Sequence, residues 1–223
     1  GGEKVQIGSH FVFSGNPGTG KTTVARIMAD VFKSLGILSR GHLVEADRSA
    51  LVGAFTGQTS IKTNQLIDSA MGGVLFIDEA YTLQNGDSDT FGKEAIDTLL
   101  KRLTDDKGKF ICIVAGYTKE MHNFIDSNPG LQSRFNRKIV FEDYKPDELS
   151  EIFRNAVKKK KMQLDADADA GLKNFFEGIF LSRDKNFGNA REVNRLFDEA
   201  VTRQGNRLAA VFKSPDFNPE MLN

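Results

Sequence analysis

Apolar residues along the chain follow two rhythms. Short runs at 11–13, 42–45, 74–77, 110–114 and 138–141 read as strands. The runs at 74–77 and 110–114 are apolar without a break, as expected for a parallel sheet covered on both faces. Between the runs, apolar side chains recur at three- and four-residue steps. Val24, Ile27, Met28, Val31 and Phe32 predict a helix over about 21–35 that Gly36 stops. Further helices are predicted over about 60–71, over about 91–103 and from about 119. Strands alternating with helices predict a doubly wound α/β protein, a three-layer sandwich around a parallel sheet.

After Asp143-Tyr144-Lys145-Pro146 only the helical rhythm remains, over about 147–162, 166–180 and 190–208. The expected organisation is a large α/β domain over 1–144, a small all-helical domain over 145–213 and a tail over 214–223.

The turn between the first strand and the first helix is Gly15-Asn16-Pro17-Gly18-Thr19-Gly20-Lys21-Thr22, followed by Thr23. It fits the phosphate-loop pattern of Gly, four residues, then Gly-Lys-Ser/Thr, in the strand–loop–helix setting the pattern requires. Glycines let successive N–H groups curl inward around one anion, and the helix that follows adds the positive end of its dipole. In such a loop Lys21 reaches the β- and γ-phosphates of ATP and the Thr22 hydroxyl ligates Mg²⁺. The competing reading is a glycine-rich turn without function.

The run 74–77 ends in Asp78-Glu79. An aspartate at that strand end holds Mg²⁺, directly or through water, and a neighbouring glutamate can orient and deprotonate an attacking water. A small-molecule kinase has less use for that base, because its nucleophile is the substrate. Arg134, after Asn128-Pro129-Gly130, and Arg191, in Gly188-Asn189-Ala190-Arg191, are candidates to stabilise charge developing on the γ-phosphate. Each on its own also reads as an ordinary surface charge. The segment 51–58 places Phe55, Thr56 and Gly57 in a loop that is unusually apolar between glycines; Phe55 either grips a partner there or packs into the core beneath.

Composition narrows the choice. The 223 residues carry 30 acidic and 30 basic side chains, a balance that argues against a dedicated nucleic-acid surface. The lysine run at 158–161 ends a predicted helix and reads as a solvated face favoured by the helix dipole. Cys112, the single cysteine, lies inside an apolar run, so no disulfide forms within the chain and a reducing cytoplasm is expected. His10, His42 and His122 lack metal-ligand spacing, and no run approaches membrane-spanning length.

Taken together, the motifs resemble those of the AAA+ ATPases, and more narrowly of the group containing the red-type Rubisco activases and the stage V sporulation protein K homologues. The likeness rests on GNPGTGKTT at 15–23, GHLVEADRSALVGAFTGQT at 41–59 and MGGVLFIDEAYTL at 71–83. It extends to FGKEAIDTLL at 91–100, VAGYTKEMHNFIDSNPGLQSRF at 114–135 and GNAREVNRLFDEAV at 188–201. The resemblance implies a P-loop NTPase fold with a helical lid. It also implies a ring, usually a hexamer, with ATP between protomers. It matches Arg134 to the arginine finger, acting on the neighbour's nucleotide, and Arg191 to the lid's second sensor. It matches Phe55-Thr56-Gly57 to the central-pore loop that engages a client protein.

Three departures accompany it. Many AAA+ proteins place Asn as first sensor after the fourth strand; here the stretch is Ala115-Gly116-Tyr117-Thr118, with Tyr117 and Thr118 as candidates. The residue after the pore aromatic is Thr, where relatives tend to be apolar. Relatives also carry a helical segment before the first strand that helps hold adenine, and the abrupt start here predicts a truncated chain or one module of a longer protein.

The favoured expectation is an ATP-driven protein remodeller. The alternatives are a nucleic-acid-directed AAA+ motor or loader, against which the neutral charge counts, and an ATP-dependent assembly scaffold, against which the complete set of Asp78, Glu79, Arg134 and Arg191 counts.

Overall fold

The computed structural model describes residues 10–212 apart from 56, 87, 185 and 186, with backbone only for 210–212. The expected tail at 214–223 and the pore-loop candidate Thr56 lie outside the described residues. Contacts divide the chain into two compact units, Gly1–Glu142 and Asp143–Asn223.

The first unit is built on a parallel sheet with strand order β2-β3-β4-β1-β5, where β1 is Phe11–Gly15, β2 Leu43–Ala46, β3 Val74–Ile77, β4 Ile111–Gly116 and β5 Arg137–Phe141. Parallel pairing needs crossovers, and helices supply them. They are α1 (Lys21–Ser34), α2 (Arg48–Leu51), α3 (Gln58–Ser69), α4 (Thr90–Asp105), α5 (Thr118–Asp126) and α6 (Pro129–Arg134). Helices on both faces bury β1, β3 and β4 on both sides, which is why β3 and β4 read as unbroken apolar runs. One core gathers Leu75, Ile77, Cys112 and Val114 with Leu99, Phe124 and Phe135. The opposite core gathers Phe11, Phe13, Phe76 and Ile113 with Ala25 and Ala29 of α1. β5 is an edge strand with its first four residues exposed.

The large apolar residues that set the period of α1 are not its buried contacts. Ala25 and Ala29 touch the sheet, Val24, Met28 and Phe32 flank them, and Ile27 and Val31 face solvent with Leu35. A small residue lets the helix axis approach the sheet closely, so alanine takes the central row.

The second unit contains α7 (Pro146–Lys159), α8 (Ala166–Leu181) and α9 (Ala190–Phe212). Pro146 opens α7, and Glu148 reaches back to accept from the Lys145 N–H at 2.7 Å; Asp165 caps α8 by accepting from the Ala168 N–H at 2.7 Å. The three helices close on Leu149, Phe153, Leu172, Phe176, Val193 and Phe197, with the Phe153 and Phe197 rings edge to face, centroids 5.7 Å apart. Lys158, Lys159, Lys160 and Lys161 are all exposed, as a solvated face requires.

Candidate functional site

Register aligns the ends of the central strands. Val114 of β4 lies opposite Val12 of β1 on one side and Ile77 of β3 on the other. Asp78 therefore comes one residue beyond a common row, and Gly15 and Tyr117 three residues beyond it. With strands about 4.8 Å apart, the glycine-rich loop and the Asp78-Glu79 pair sit about 10 Å apart across the C-terminal edge of the sheet, and Tyr117 directly follows the strand between them. That edge is where open α/β sheets bind ligands.

The loop's local geometry follows from its glycines. Gly15 pairs with Phe141, and a Cβ on it would stand 2.2 Å from the Phe141 carbonyl oxygen. Gly20, at φ 93°, caps α1 in the left-handed region, so the helix begins at Lys21 with its first-turn N–H groups directed into the loop. Thr19 is buried and donates its hydroxyl to the Asn16 carbonyl at 2.8 Å. Lys21 Nζ folds back over the loop, donating to the carbonyls of Gly15 (2.7 Å) and Asn16 (2.9 Å). Gly18 stands at φ 71°, Pro17 and Thr22 are half-buried and Thr23 is exposed. The loop is a concave, glycine-lined cradle at a helix N-terminus, the chemistry a polyphosphate fits.

Asp78 is half-buried and accepts the Glu79 N–H at 3.1 Å. Glu79 is exposed and adopts a left-handed conformation, φ 48° and ψ 43°, a position that costs about 1–3 kcal/mol outside glycine. It is held there by Thr82, whose N–H and hydroxyl both donate to the Glu79 carbonyl, at 2.9 and 2.7 Å. A cleft of about 580 Å³ brings Asp78, Glu79 and Thr82 together with Asp47, Arg48 and Val52. Tyr81 packs against Gly116, leaving no room for a Cβ there, and its ring centroid is 6.4 Å from that of Tyr117. Burial, reinforced by the carboxylate of Glu79, pushes the Tyr81 phenol up to about 12, so it stays protonated. Tyr117 is half-buried, whereas Thr118 is exposed in the first turn of α5.

The remaining candidates lie elsewhere. Arg134 ends α6, and its carbonyl accepts from the His10 N–H at 3.1 Å. His10 immediately precedes β1, so Arg134 stands at the N-terminal edge of the sheet. Its distance from the glycine-rich loop is the length of β1, about 17 Å for five residues. The Arg134 guanidinium, half-buried, donates to Thr104 Oγ1 at 2.6 Å and to the Gly130 carbonyl at 3.1 Å. Arg191, in the second unit, is exposed as the second residue of α9.

Phe55 is 70% exposed, which rules out the core alternative for its side chain. The base of its loop is fastened. The Gly53 N–H donates to Thr59 Oγ1 at 3.0 Å, Thr63 Oγ1 donates to the Leu51 carbonyl at 3.0 Å, and Lys62 Nζ donates to the Ser49 carbonyl at 2.6 Å. Gly57, at φ 81°, caps α3.

Four residues escaped the sequence reading. Arg48 and Asp89 form a bidentate ion pair at 2.6 and 3.0 Å. His10 is buried between the Phe110 and Phe135 rings, with Nδ1 accepting from the Cys112 N–H at 3.0 Å. Asn189 is fully buried at φ 48°, donating to Asp143 Oδ1 at 2.8 Å and accepting from the Tyr144 N–H at 2.9 Å. Only Asn189 had a signal, as an Asn beside Gly in front of a helix.

The model of the ATPase family associated with various cellular activities (AAA) matches residues 11–143, and the AAA lid domain matches 145–222. Stage V sporulation protein K of Bacillus subtilis is 45% identical over 89% of this chain, and the chain spans 62% of that protein. The chloroplastic ribulose bisphosphate carboxylase/oxygenase activase of Cyanidioschyzon merolae is 43% identical over 91% of this chain and 69% of its own length. Among solved structures, the FIGL-1 AAA domain in complex with ADP superposes with a TM-score of 0.61 at 19% identity, covering 86% of this chain and 60% of that one, a likeness of fold alone.

Proposed function

The chain belongs to the AAA family of ATPases, and from that premise we propose that it hydrolyses ATP in a ring, usually a hexamer, and uses the cycle to remodel a client polypeptide. The observation that carries the reading is Glu79, an exposed carboxylate fixed in a strained turn at the same sheet edge as the glycine-rich loop. The residues of the loop, Gly15 to Thr23, fit a nucleotide triphosphate. Lys21 would exchange carbonyl contacts for the β- and γ-phosphates, and Thr22 with Asp78 would hold Mg²⁺, which supplies charge neutralisation when bound. Glu79 takes the proton of the attacking water.

Arg134 serves a neighbouring protomer. Its place one strand length from its own loop and its contact with Thr104 support action in trans. Arg191 at the start of α9 serves as second sensor, and Tyr117, at the end of the strand between loop and acid pair, is better placed than exposed Thr118 as first sensor. Phe55, Thr56 and Gly57 engage the client. The exposure of Phe55 on a fastened loop supports this, and a relative named for activating an enzyme makes a protein client the fitting class.

The test is Glu79→Gln, which keeps shape and removes basicity. ATP binding is expected to persist while hydrolysis falls by roughly 10²–10⁴. Near-normal turnover by the variant would remove Glu79 from the role, and a parent that binds ATP without turning it over would overturn the hydrolytic reading.

A further inference from the structure

The turn that carries Glu79 and the loop that carries Phe55 are joined by hydrogen bonds among residues far apart in sequence. Arg48 opens α2, whose last residue, Leu51, leads directly into the Phe55 loop. Its guanidinium grips Asp89 through two bonds, and Nη1 also donates to the Thr82 carbonyl at 2.6 Å. Thr82 in turn holds the Glu79 carbonyl through both its N–H and its hydroxyl. The path from the catalytic turn to the loop is therefore continuous: Glu79 to Thr82, Thr82 to Arg48, Arg48 through one turn of helix to Val52.

Asp89 is the fixed point of this network. It caps α4 by accepting from the Gly92 N–H at 2.9 Å and also accepts from the Asn85 N–H at 3.2 Å. The Arg48 guanidinium, with those two N–H groups, holds the Asp89 carboxyl down at about 2, so the pair stays charged at any ordinary pH. The fit is tight: a Cβ on Gly92 would stand 2.0 Å from the Leu83 carbonyl and 3.0 Å from Arg48 Nη1. A lysine at position 48 could not replace the arrangement, because one ammonium cannot span both carboxylate oxygens and a carbonyl in the fork that guanidinium offers.

We propose that Arg48 is a positioning residue that couples the Glu79 turn to the Phe55 loop. A shift of the strained turn on nucleotide exchange is passed to α2 and displaces Phe55, and tension on Phe55 is passed back to Glu79 by the same contacts. The inference rests on the roles given to Glu79 and Phe55 above.

Because Cys112 is the sole cysteine of this chain and is buried, Phe55→Cys in this chain can be labelled selectively with an environment-sensitive maleimide. Calorimetry gives the affinity for ADP and for a slowly hydrolysed ATP analogue, and the label reports the loop in each state. The labelled parent is expected to change emission between the two nucleotides. In Arg48→Lys and in Asp89→Asn, which keeps an acceptor for the α4 cap, nucleotide affinity is expected to hold. The emission change between the two nucleotides should be largely lost. An equal response in both variants, or none in a parent that binds both nucleotides, overturns the coupling. A parent that binds no nucleotide overturns the ATPase reading itself.

Discussion

Acidification is a direct perturbation of the site's far edge. His10 is buried and neutral, its pKa lowered to about 4 by loss of hydration and, second, by the positive charge of Arg134. Unfolded, it titrates at its ordinary value of 6.5. Between those two values the unfolded chain binds a proton that the folded chain refuses, so stability is lost as pH falls from 6.5 towards 4, and the effect of this group fades above 6.5. At pH 5 the ratio of the two binding polynomials corresponds to about 2 kcal/mol, against about 0.2 kcal/mol at neutrality. For a unit of this size that lowers the melting temperature by roughly 4–8 °C.

Other groups titrate too, so the assay compares melting curves of the parent and His10→Asn from pH 7 to 5. Asparagine keeps an acceptor for the Cys112 N–H and has no proton to take up. It loses the packing between Phe110 and Phe135 at every pH, but its pH dependence should be flatter by about 2 kcal/mol. Parallel curves would refute the buried, neutral His10 and the burial argument behind it.

Arg134→Ala is expected to spare nucleotide binding and abolish most ATPase activity, and mixing it with Glu79→Gln protomers should restore turnover at interfaces joining a good base to a good arginine; mixed rings with no recovery would sink the trans assignment. Phe55→Ala should leave stability, from melting curves, within the roughly 0.5 kcal/mol of an exposed substitution and basal turnover intact, while client-stimulated turnover is lost. A drop of roughly 3–5 kcal/mol, the core value, would place the ring inside instead. Gly15→Ala, which drives a methyl into the Phe141 carbonyl, should cost about 1–3 kcal/mol by thermal melting and weaken nucleotide binding; an unchanged melting temperature would contradict the close β1–β5 approach.

Legibility followed locality. The unbroken runs of β3 and β4 and the loop at 15–23 announce themselves, because burial on both faces and phosphate cradling each demand residues adjacent in sequence. The lid helices were visible for the same reason. What stayed hidden depends on partners far away. α2 is four residues long and owes its start to Asp47 accepting from the Ala50 N–H, and the 3₁₀ turn Ala80–Leu83 is anchored by Thr82 and by Arg48. α6, which Asn128 caps, was not announced because Asn128-Pro129-Gly130 serves both turns and helix starts. The Arg48–Asp89 pair spans 41 positions and His10 meets Cys112 across 102, distances at which periodicity carries no signal.

β1 separates the glycine-rich loop from Arg134 by its own length, and if Arg134 acts in trans, as proposed, the following count holds. A chain alone holds two unmatched halves of a site. Chains added one at a time to an open row always leave a loop vacant at one end and an arginine idle at the other. Closing the row matches both without another chain. Turnover per chain then climbs with protein concentration while rows lengthen and levels off when they close, and anything that opens the circle silences one site rather than all.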